Sequence, residues 1–156
     1  MAAATPLSQT WGRRGAVLAG VVVGLAVGAG GFTFWYGRGA SYLTNDPAAC
    51  ANCHIMQRQY DGWLQASHRS AATCNDCHTP HNPIGKYYVK SKNGFWHSFY
   101  FTTGLFPEPI RITPGNRTVT EAACRQCHAE IAAVVDGPGD EPRNCLACHS
   151  TVGHRK

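Results

Sequence analysis

Four copies of one short pattern constrain this chain more than any other feature. Its eight cysteines all fall in C-x-x-C-H, at residues 50–54, 74–78, 124–128 and 145–149. This is the attachment motif of c-type haem, in which two thiols bind the porphyrin covalently and the histidine reaches the iron. The sequence therefore predicts four haem c groups, bound through Cys50, Cys53, Cys74, Cys77, Cys124, Cys127, Cys145 and Cys148.

Two other uses of paired cysteines fit this pattern less well. Zinc sites and thiol–disulfide centres also contain C-x-x-C. Neither chemistry needs a histidine directly after the second cysteine, yet all four copies have one. The repeated histidine favours haem over zinc and over a redox thiol.

The aliphatic residues are unevenly distributed, and this limits the fold. Most of them lie in the first quarter of the chain, and from Gly37 onward the sequence is rich in Gly, Pro, Asn, Thr and His. Such a segment cannot form a conventional apolar core, so the haems must supply the buried surface and couple folding to cofactor binding. The predicted fold is mainly α with much irregular loop, with short helices packed around the haems.

The charge pattern gives no sign of a nucleic-acid partner. The formal net charge is +5, but the Lys and Arg residues are scattered and form no basic stripe. Nucleic-acid sites concentrate their basic residues on one face. We therefore expect no nucleic-acid binding.

One uncharged run near the N-terminus predicts a membrane anchor. Residues 15–37 contain no charged side chain, and 23 residues in a helix can cross a bilayer core of about 30 Å. The run ends in an aromatic cluster typical of a membrane interface. Because Arg13 and Arg14 precede it, residues 1–14 are predicted to be cytoplasmic and residues 38–156 periplasmic. The alternative is a cleaved signal peptide, although the run is longer than a usual signal core.

The same run contains a ridge of small residues. Ala16, Gly20, Gly24 and Gly28 recur at every fourth position. Such a ridge lets two membrane helices approach closely, so self-association through this segment is one expectation. Glycine is common in membrane helices in any case, so the ridge is also compatible with a solitary anchor.

Local signals also predict helices around the third motif. Residues 120–123 lead into it as a helix start, with Thr118 or Thr120 as the cap. Residues 130–135 can continue the helix until the Gly-Pro-Gly sequence at 137–139 ends it.

Four irons offer eight axial positions, and the chain has eight histidines. The motif histidines are His54, His78, His128 and His149; the others are His68, His81, His97 and His154. This match predicts mostly bis-histidine ligation, which suits electron transfer at low potential. His154 is too close in sequence to His149 to reach the far side of the same haem, so it would serve a different one. His81 either ligates an iron or lines a haem edge.

The first motif differs from the others because it continues His54-Ile55-Met56. The thioether of methionine can bind haem iron and raise its potential. Either His54 or Met56 therefore ligates the first haem, and the alternative role for Met56 is packing.

A C-x-x-C-H-x-M motif directly after one N-terminal anchor, followed by three further C-x-x-C-H motifs, resembles the NapC/NirT family of membrane-anchored tetrahaem cytochromes. The stretch from Cys74 to Asn82 is most similar to the branch that forms the small subunit of cytochrome c nitrite reductases. The resemblance implies a single-pass protein of the bacterial inner membrane that oxidises menaquinol. The resemblance further implies that such a protein passes electrons to a periplasmic multihaem nitrite reductase, which forms ammonium. Service to another reductase, such as nitrate reductase, and a tethered relay that does not oxidise quinol are the alternatives.

The resemblance also implies roles for particular residues. Met56 matches the methionine ligand of the haem nearest the membrane, and His68 and His154 match the distal ligands of the two haems in the second half. Lys90 matches a lysine at the quinol site. His97 stands where the family has an acid, so it is expected either to accept the quinol proton or to ligate the first iron.

Overall fold

The computed structural model describes residues 6–139 and 141–155, with side chains from residue 12 onward. Across these ranges all regular secondary structure is helical, which confirms the predicted mainly-α class. Residues 1–5 of the predicted cytoplasmic segment lie outside the described part of the chain, as do residues 140 and 156 of the predicted haem domain. The chain divides into two compact units, and the boundary in the sequence lies between Leu43 and Thr44.

The first unit consists of one long helix and a short 3₁₀ helix. Helix α1 covers Pro6–Tyr36, and its part from Gly12 to Tyr36 has a mean hydropathy of 2.0 with none of it buried. At 1.5 Å per residue these 25 residues extend about 37 Å, enough to cross a bilayer. Arg38 then takes a left-handed φ of 51°, and the 3₁₀ helix Gly39–Leu43 follows.

The ridge of small residues is present on α1 as the sequence predicts it. A Cβ atom added at Gly20, Gly24 or Gly28 would meet nothing within 4 Å. This open surface is compatible with a helix partner, and self-association stays a prediction.

The second unit contains short helices joined by turns. It begins with the 3₁₀ helices Pro47–Asn52 and His54–Met56. Its α-helices are α2 (Gln57–Leu64), α3 (Cys74–His78), α4 (Pro83–Thr103), α5 (Pro114–Cys127), α6 (Ala129–Asp136) and α7 (Cys145–Cys148).

Helix α4 is much longer than the sequence predicts for this region, at 21 residues. The side chain of Asn82 caps its start by accepting the N–H of Gly85 at 2.7 Å, and Pro83 occupies the first helical position. Its end is set by Gly104, whose left-handed φ of 71° closes the last turn.

Helix α5 begins earlier than expected. The sequence placed its cap at Thr118 or Thr120, but the helix starts at Pro114 and the cap is Thr113, which accepts the N–H of Asn116. Pro114 favours this earlier start because its fixed φ suits the first helical position. Helix α6 ends at Asp136 before Gly137, as the Gly-Pro-Gly sequence predicts.

The apolar core of the polypeptide is very small. Among the described residues, the buried hydrophobic side chains are Ala49, Val89 and Ala123. Two of these directly precede the attachment cysteines Cys50 and Cys124. A unit of this size cannot be stabilised by three small side chains, so its fold depends on apolar surface that the polypeptide does not supply.

Candidate functional site: four haem attachment motifs in series

Three of the four motifs are built on helices. Cys74–His78 forms α3, the third motif ends α5, and Cys145–Cys148 forms α7. Residues three apart on a helix lie on the same face, so the two thiols of each motif are presented together. The N–H groups of His128 and His149 bond the carbonyls of Cys124 and Cys145, each at 2.9 Å. These bonds fix the backbone of each histidine relative to its cysteine pair.

The first motif has a different backbone. Its first cysteine lies in the 3₁₀ helix Pro47–Asn52, and Cys53 is extended, with φ −88° and ψ 110°. A second 3₁₀ turn, His54–Met56, follows and is closed by the N–H of Met56 on the carbonyl of Cys53 at 2.8 Å. In this turn His54 is exposed, whereas Met56 is half-buried.

The motifs follow one another in space in the same order as in the sequence. The 3₁₀ helix of the first motif contacts α3, α3 contacts α5, and α5 contacts α7. The thiols of Cys50 and Cys74 hydrogen-bond one another, which lowers the pKa of Cys50 to about 7 and raises that of Cys74. Burial, and then the nearby Cys124, raise the pKa of Cys77. The four attachment sites therefore form one continuous series.

His154 faces the motif histidine of α3. The rings of His78 and His154 have centroids 5.9 Å apart and planes 31° from parallel. A metal–imidazole bond is about 2 Å long, so two imidazoles on opposite sides of one metal lie about 6 Å apart. Burial, and then His154, lower the pKa of His78 to about 4. Its imidazole is therefore neutral at pH 7, which is the form that binds iron.

A hydrogen bond to the backbone selects the tautomer of His154. Its Nδ1 lies 2.8 Å from the carbonyl oxygen of Gln59. A carbonyl can only accept, so Nδ1 carries the proton and Nε2 keeps the lone pair that a metal needs. Gly62 holds the backbone here: its carbonyl accepts the N–H of Arg155 at 3.1 Å, and a Cβ atom on it would lie 2.9 Å from the carbonyl of Arg155.

A second pair joins His68 to the third motif. The rings of His68 and His128 have centroids 6.0 Å apart and cross at 73°. The segment that carries His68 is braced by Trp63, whose indole N–H donates to the carbonyl of Ala72 at 3.0 Å. This second distance is also suited to two imidazoles on one metal.

The pairing differs from the expectation for one residue. The family resemblance implied that both His68 and His154 serve haems of the second half, but the structure places His154 beside His78, in the first half. The reason is that the C-terminal segment packs back onto Gly62 in α2, a contact between residues far apart in sequence.

His81 is placed differently from the paired histidines. Its Nε2 lies 2.8 Å from the carbonyl oxygen of Asp76 in α3. Nε2 must therefore carry the proton, which leaves no lone pair on that nitrogen for an iron. The contact braces the turn after the second motif, and a role for His81 as an iron ligand stays a prediction.

Lys90 lies beside the first motif. Its Nζ donates to the carbonyl oxygen of Thr44 at 2.7 Å, and Asn75 of the second motif donates to the same oxygen at 3.2 Å. The neighbouring Lys86 donates to the side chain of Asn45 at 2.5 Å. Partial burial, and then Lys86, lower the pKa of Lys90. The network ties helix α4 to the first and second attachment sites.

His97 lies seven residues beyond Lys90 on α4, so the two lie on the same helical face about 10 Å apart along the axis. Partial desolvation lowers the pKa of His97. Its imidazole is accordingly neutral at pH 7 and able to accept a proton.

Sequence reasoning missed the carboxylate that docks the fourth motif. Glu121 in α5 accepts the backbone N–H groups of Cys145 and Leu146, each at 3.0 Å. Burial raises the pKa of Glu121, but these bonds outweigh it and the net shift is downward. The T-x-x-E spacing from Thr118 to Glu121 suggests only that Glu121 caps its own helix. It gives no sign of α7, whose N–H groups Glu121 accepts, because α7 is distant in sequence.

An ion pair supports the same region. Arg125 in α5 pairs with Asp136 at the end of α6, and it also donates to the carbonyl of Arg143 at 2.5 Å. Asp136 accepts the N–H of Arg143 at 2.9 Å. Together with Glu121, these contacts hold the segment before α7 against α5.

Comparison with known proteins decides the family. Residues 12–108 match the sequence profile of the NapC/NirT cytochrome c family, N-terminal region. The chain belongs to the NapC/NirT cytochrome c family. It is 33% identical over 148 residues to the cytochrome c-type protein NrfH of Wolinella succinogenes, covering 87% of this chain and 84% of that protein.

Two further relatives place this NapC/NirT cytochrome near one branch. The cytochrome c nitrite reductase subunit NrfH of Nitratidesulfovibrio vulgaris is 29% identical over 122 residues, covering 76% of this chain and 72% of that protein. A crystal structure of the cytochrome c nitrite reductase NrfHA complex, bound to the inhibitor HQNO, superposes with a TM-score of 0.60 at 28% identity. The match covers 87% of this chain and 88% of that one.

Family membership and geometry agree on the cofactor. None of the eight motif cysteines is in a disulfide, and two pairs of imidazoles face one another at about 6 Å. This donor set fits covalently bound haem c, and members of the family carry four such groups. With α1 as its one membrane-spanning candidate among the described residues, the chain is a single-pass inner-membrane protein.

Proposed function

We propose that this NapC/NirT cytochrome oxidises menaquinol at the membrane and passes the electrons to a periplasmic nitrite reductase that forms ammonium. The observation that carries the proposal is the unbroken series of four attachment motifs, with Lys90 beside the first of them. Relatives named as NrfH, a subunit of cytochrome c nitrite reductase, support the choice of partner.

Haem c supplies one-electron redox chemistry, and the chain decides how each group is held. His78 with His154 would hold the second haem and His128 with His68 the third, on the ring separations and on the Nδ1 bond of His154. His149 is assigned to the fourth haem as its motif ligand.

For the first haem the local backbone favours Met56 over His54. The extended Cys53 separates the cysteines from the following turn, which exposes His54 and half-buries Met56. A thioether ligand holds iron less tightly than a second imidazole and raises its potential. The first site is then the one best suited to receive electrons from a quinol.

Lys90 and His97 are the proposed quinol residues. The bond to Thr44 holds the ammonium of Lys90 beside the first motif, where it would donate to a quinol oxygen. Such a preorganised charge stabilises the negative charge that develops as the quinol loses its protons. His97, neutral at pH 7 because desolvation lowers its pKa, would take one of those protons as general base.

The charge pattern around the anchor supports one orientation in the membrane. Arg13 and Arg14 stand at the start of the uncharged segment, and no Asp or Glu occurs before residue 38. Positive residues are retained on the cytoplasmic side, so the N-terminus is cytoplasmic and the haem unit periplasmic.

The test is direct reduction of the purified tetrahaem protein by a menaquinol analogue in mild detergent, followed by addition of the reductase and nitrite. Reduction of the haems and formation of ammonium are expected. A parallel assay supplies a periplasmic nitrate reductase and nitrate, and turnover only in that assay would assign the protein to a nitrate reductase instead. Haems that dithionite reduces but quinol does not would leave only a tethered relay.

A further inference from the structure

One face of α4 carries large apolar side chains that point away from the protein. Ile84, Tyr88, Phe95 and Phe99 follow at intervals of four, seven and four residues, which places them in a stripe about 60° wide. Their exposed fractions are 86%, 65%, 66% and 43%. The buried residue of this helix, Val89, lies outside the stripe. The described polypeptide therefore leaves this stripe largely uncovered.

Aromatic rings beside the stripe form a fixed cluster. Trp96 stacks on Tyr100 with centroids 5.5 Å apart, and it meets Phe95 and Phe99 edge-on at 5.3 and 5.9 Å. Trp96 and Tyr100 are themselves exposed. The rings hold one another in place and present a broad apolar surface with polar edges. Trp and Tyr with this kind of exposure are typical of the membrane–water interface.

The charges along α4 fit a lipid surface. From Asn93 to Pro107 the chain has no Asp, Glu, Lys or Arg, while Lys86, Lys90 and Lys92 lie in the first half of the helix. Basic residues next to an uncharged aromatic segment are characteristic of helices that lie on anionic membranes.

The tether makes the bilayer a partner that is always present. Helix α1 ends at Tyr36, and the second unit begins at Thr44. The seven residues between them extend at most about 25 Å. A surface held this close to a membrane meets it at high effective concentration, so even a modest apolar face suffices for contact.

We propose that the four-residue stripe of α4 lies in the lipid–water interface of the membrane that α1 crosses, with Trp96 at its edge. This adds a second membrane contact to the anchor and goes beyond the proposed function. Lys90 and His97 lie about 150–170° around the same helix from the middle of the stripe, so the lipid contact and the proposed quinol residues are on opposite sides of α4.

The experiment uses the full tetrahaem chain at one copy per phospholipid nanodisc, without the catalytic subunit. The native cysteines are occupied by haem, so a cysteine introduced by Ile84→Cys or Phe95→Cys is the single reactive thiol. Val134→Cys is the matched control, because Val134 is an apolar residue on α6 that is 82% exposed. We expect a water-soluble maleimide to label the α4 positions about ten-fold more slowly than the control. Haem absorbance confirms that each variant is loaded.

A second measurement needs no substitution. A diazirine dissolved in the bilayer is expected to label the peptide containing residues 84–100 of the unmodified chain, and not the peptide containing Val134. Equal maleimide rates at all three positions, or no diazirine label on α4, would overturn the proposal. So would protection that appears only with two copies per disc or only after the reductase is added, since the face would then be a protein interface. Reduction by quinol is assayed separately, so a failure of the proposed function would not be mistaken for a failure here.

Discussion

His154 lies 5.9 Å from His78 between ring centroids, although 76 positions separate the two residues in the sequence. The proton on Nδ1 of His154 is fixed by the carbonyl of Gln59, so its Nε2 is the nitrogen that keeps a lone pair. The pair therefore combines the separation and the tautomer that bis-histidine ligation of one iron requires.

Removal of His154 should leave the iron of the second haem without one of its two imidazoles. With one imidazole lost, its iron should change from low-spin to high-spin while the other haems keep their ligands. Electron paramagnetic resonance and absorption of the His154→Ala protein are expected to show this change in one haem of the four. His81→Ala is the control, because Nε2 of His81 already donates to Asp76, and it should leave the spectra unchanged. Identical spectra for both variants would contradict the assignment.

Gly62 should be required for the position of His154. A Cβ atom there would lie 2.9 Å from the carbonyl of Arg155 and 3.4 Å from Cα of His154, so Gly62→Ala must displace the C-terminal segment. We expect a loss of about 1–3 kcal/mol in the free energy of unfolding and partial high-spin character at one haem. Gly94→Ala in α4 meets nothing within 4 Å and should be neutral or slightly stabilising. The same response from both variants would show that the close approach is not the cause.

Glu121 should stabilise the fourth site in a pH-dependent way. Its carboxylate accepts two backbone N–H bonds from α7, so Glu121→Gln should cost about 1–2 kcal/mol at pH 7. Its pKa lies below the ordinary 4.5, so the stabilisation is present above that pH and is lost as the pH falls through the lowered value. Denaturant unfolding from pH 7 to acid should therefore show the native and variant proteins converging. Glu141→Gln, at an exposed position, is the control, and a constant difference at all pH values would exclude this linkage.

Lys90 should be needed for quinol oxidation and not for haem binding. The Lys90→Leu protein is expected to be reduced by a menaquinol analogue at least about ten-fold more slowly, because a preorganised charge is lost. Its reduction by dithionite should be normal. Lys92→Leu, on an exposed position of the same helix, should behave like the native protein. An unchanged quinol rate with intact spectra would remove Lys90 from the site.

Protonation of His97 should cause the rate of haem reduction by quinol to fall at low pH. A general base must be neutral, and desolvation lowers the pKa of His97 below its ordinary 6.5. The rate of haem reduction should hold from pH 7 down to about 6.5 and fall at lower pH. In the His97→Gln protein the rate should be low at every pH tested, with no such fall. A native profile retained by the variant would assign the proton to another group.

Some features of the site could be read from short stretches of sequence. The C-x-x-C-H motifs prescribe covalent attachment within five residues, and three of them form helical turns. The departure of the first motif was also visible in Met56. Glu121 was not, because its partners Cys145 and Leu146 belong to another helix and no local pattern points to them.

Helix boundaries show where local signals compete. Thr118 and Thr120 are acceptable caps in sequence, but Thr113 with Pro114 starts α5 five to seven residues earlier. Helix α4 is longer than expected because the spacing of its apolar residues indicates no buried face. Its ends are nevertheless set by local signals, Asn82 as the N-cap and Gly104 as the C-cap.

The sequence by itself determined the cofactor count and the anchor, because thioether attachment and bilayer crossing depend on residues that are adjacent in the chain. Only the tertiary structure decided which distal histidine faces which motif and that the four motifs stand in series. The physical reason is that axial ligation is a relation through space: it follows from where the C-terminal segment packs on Gly62, and no local spacing specifies that contact.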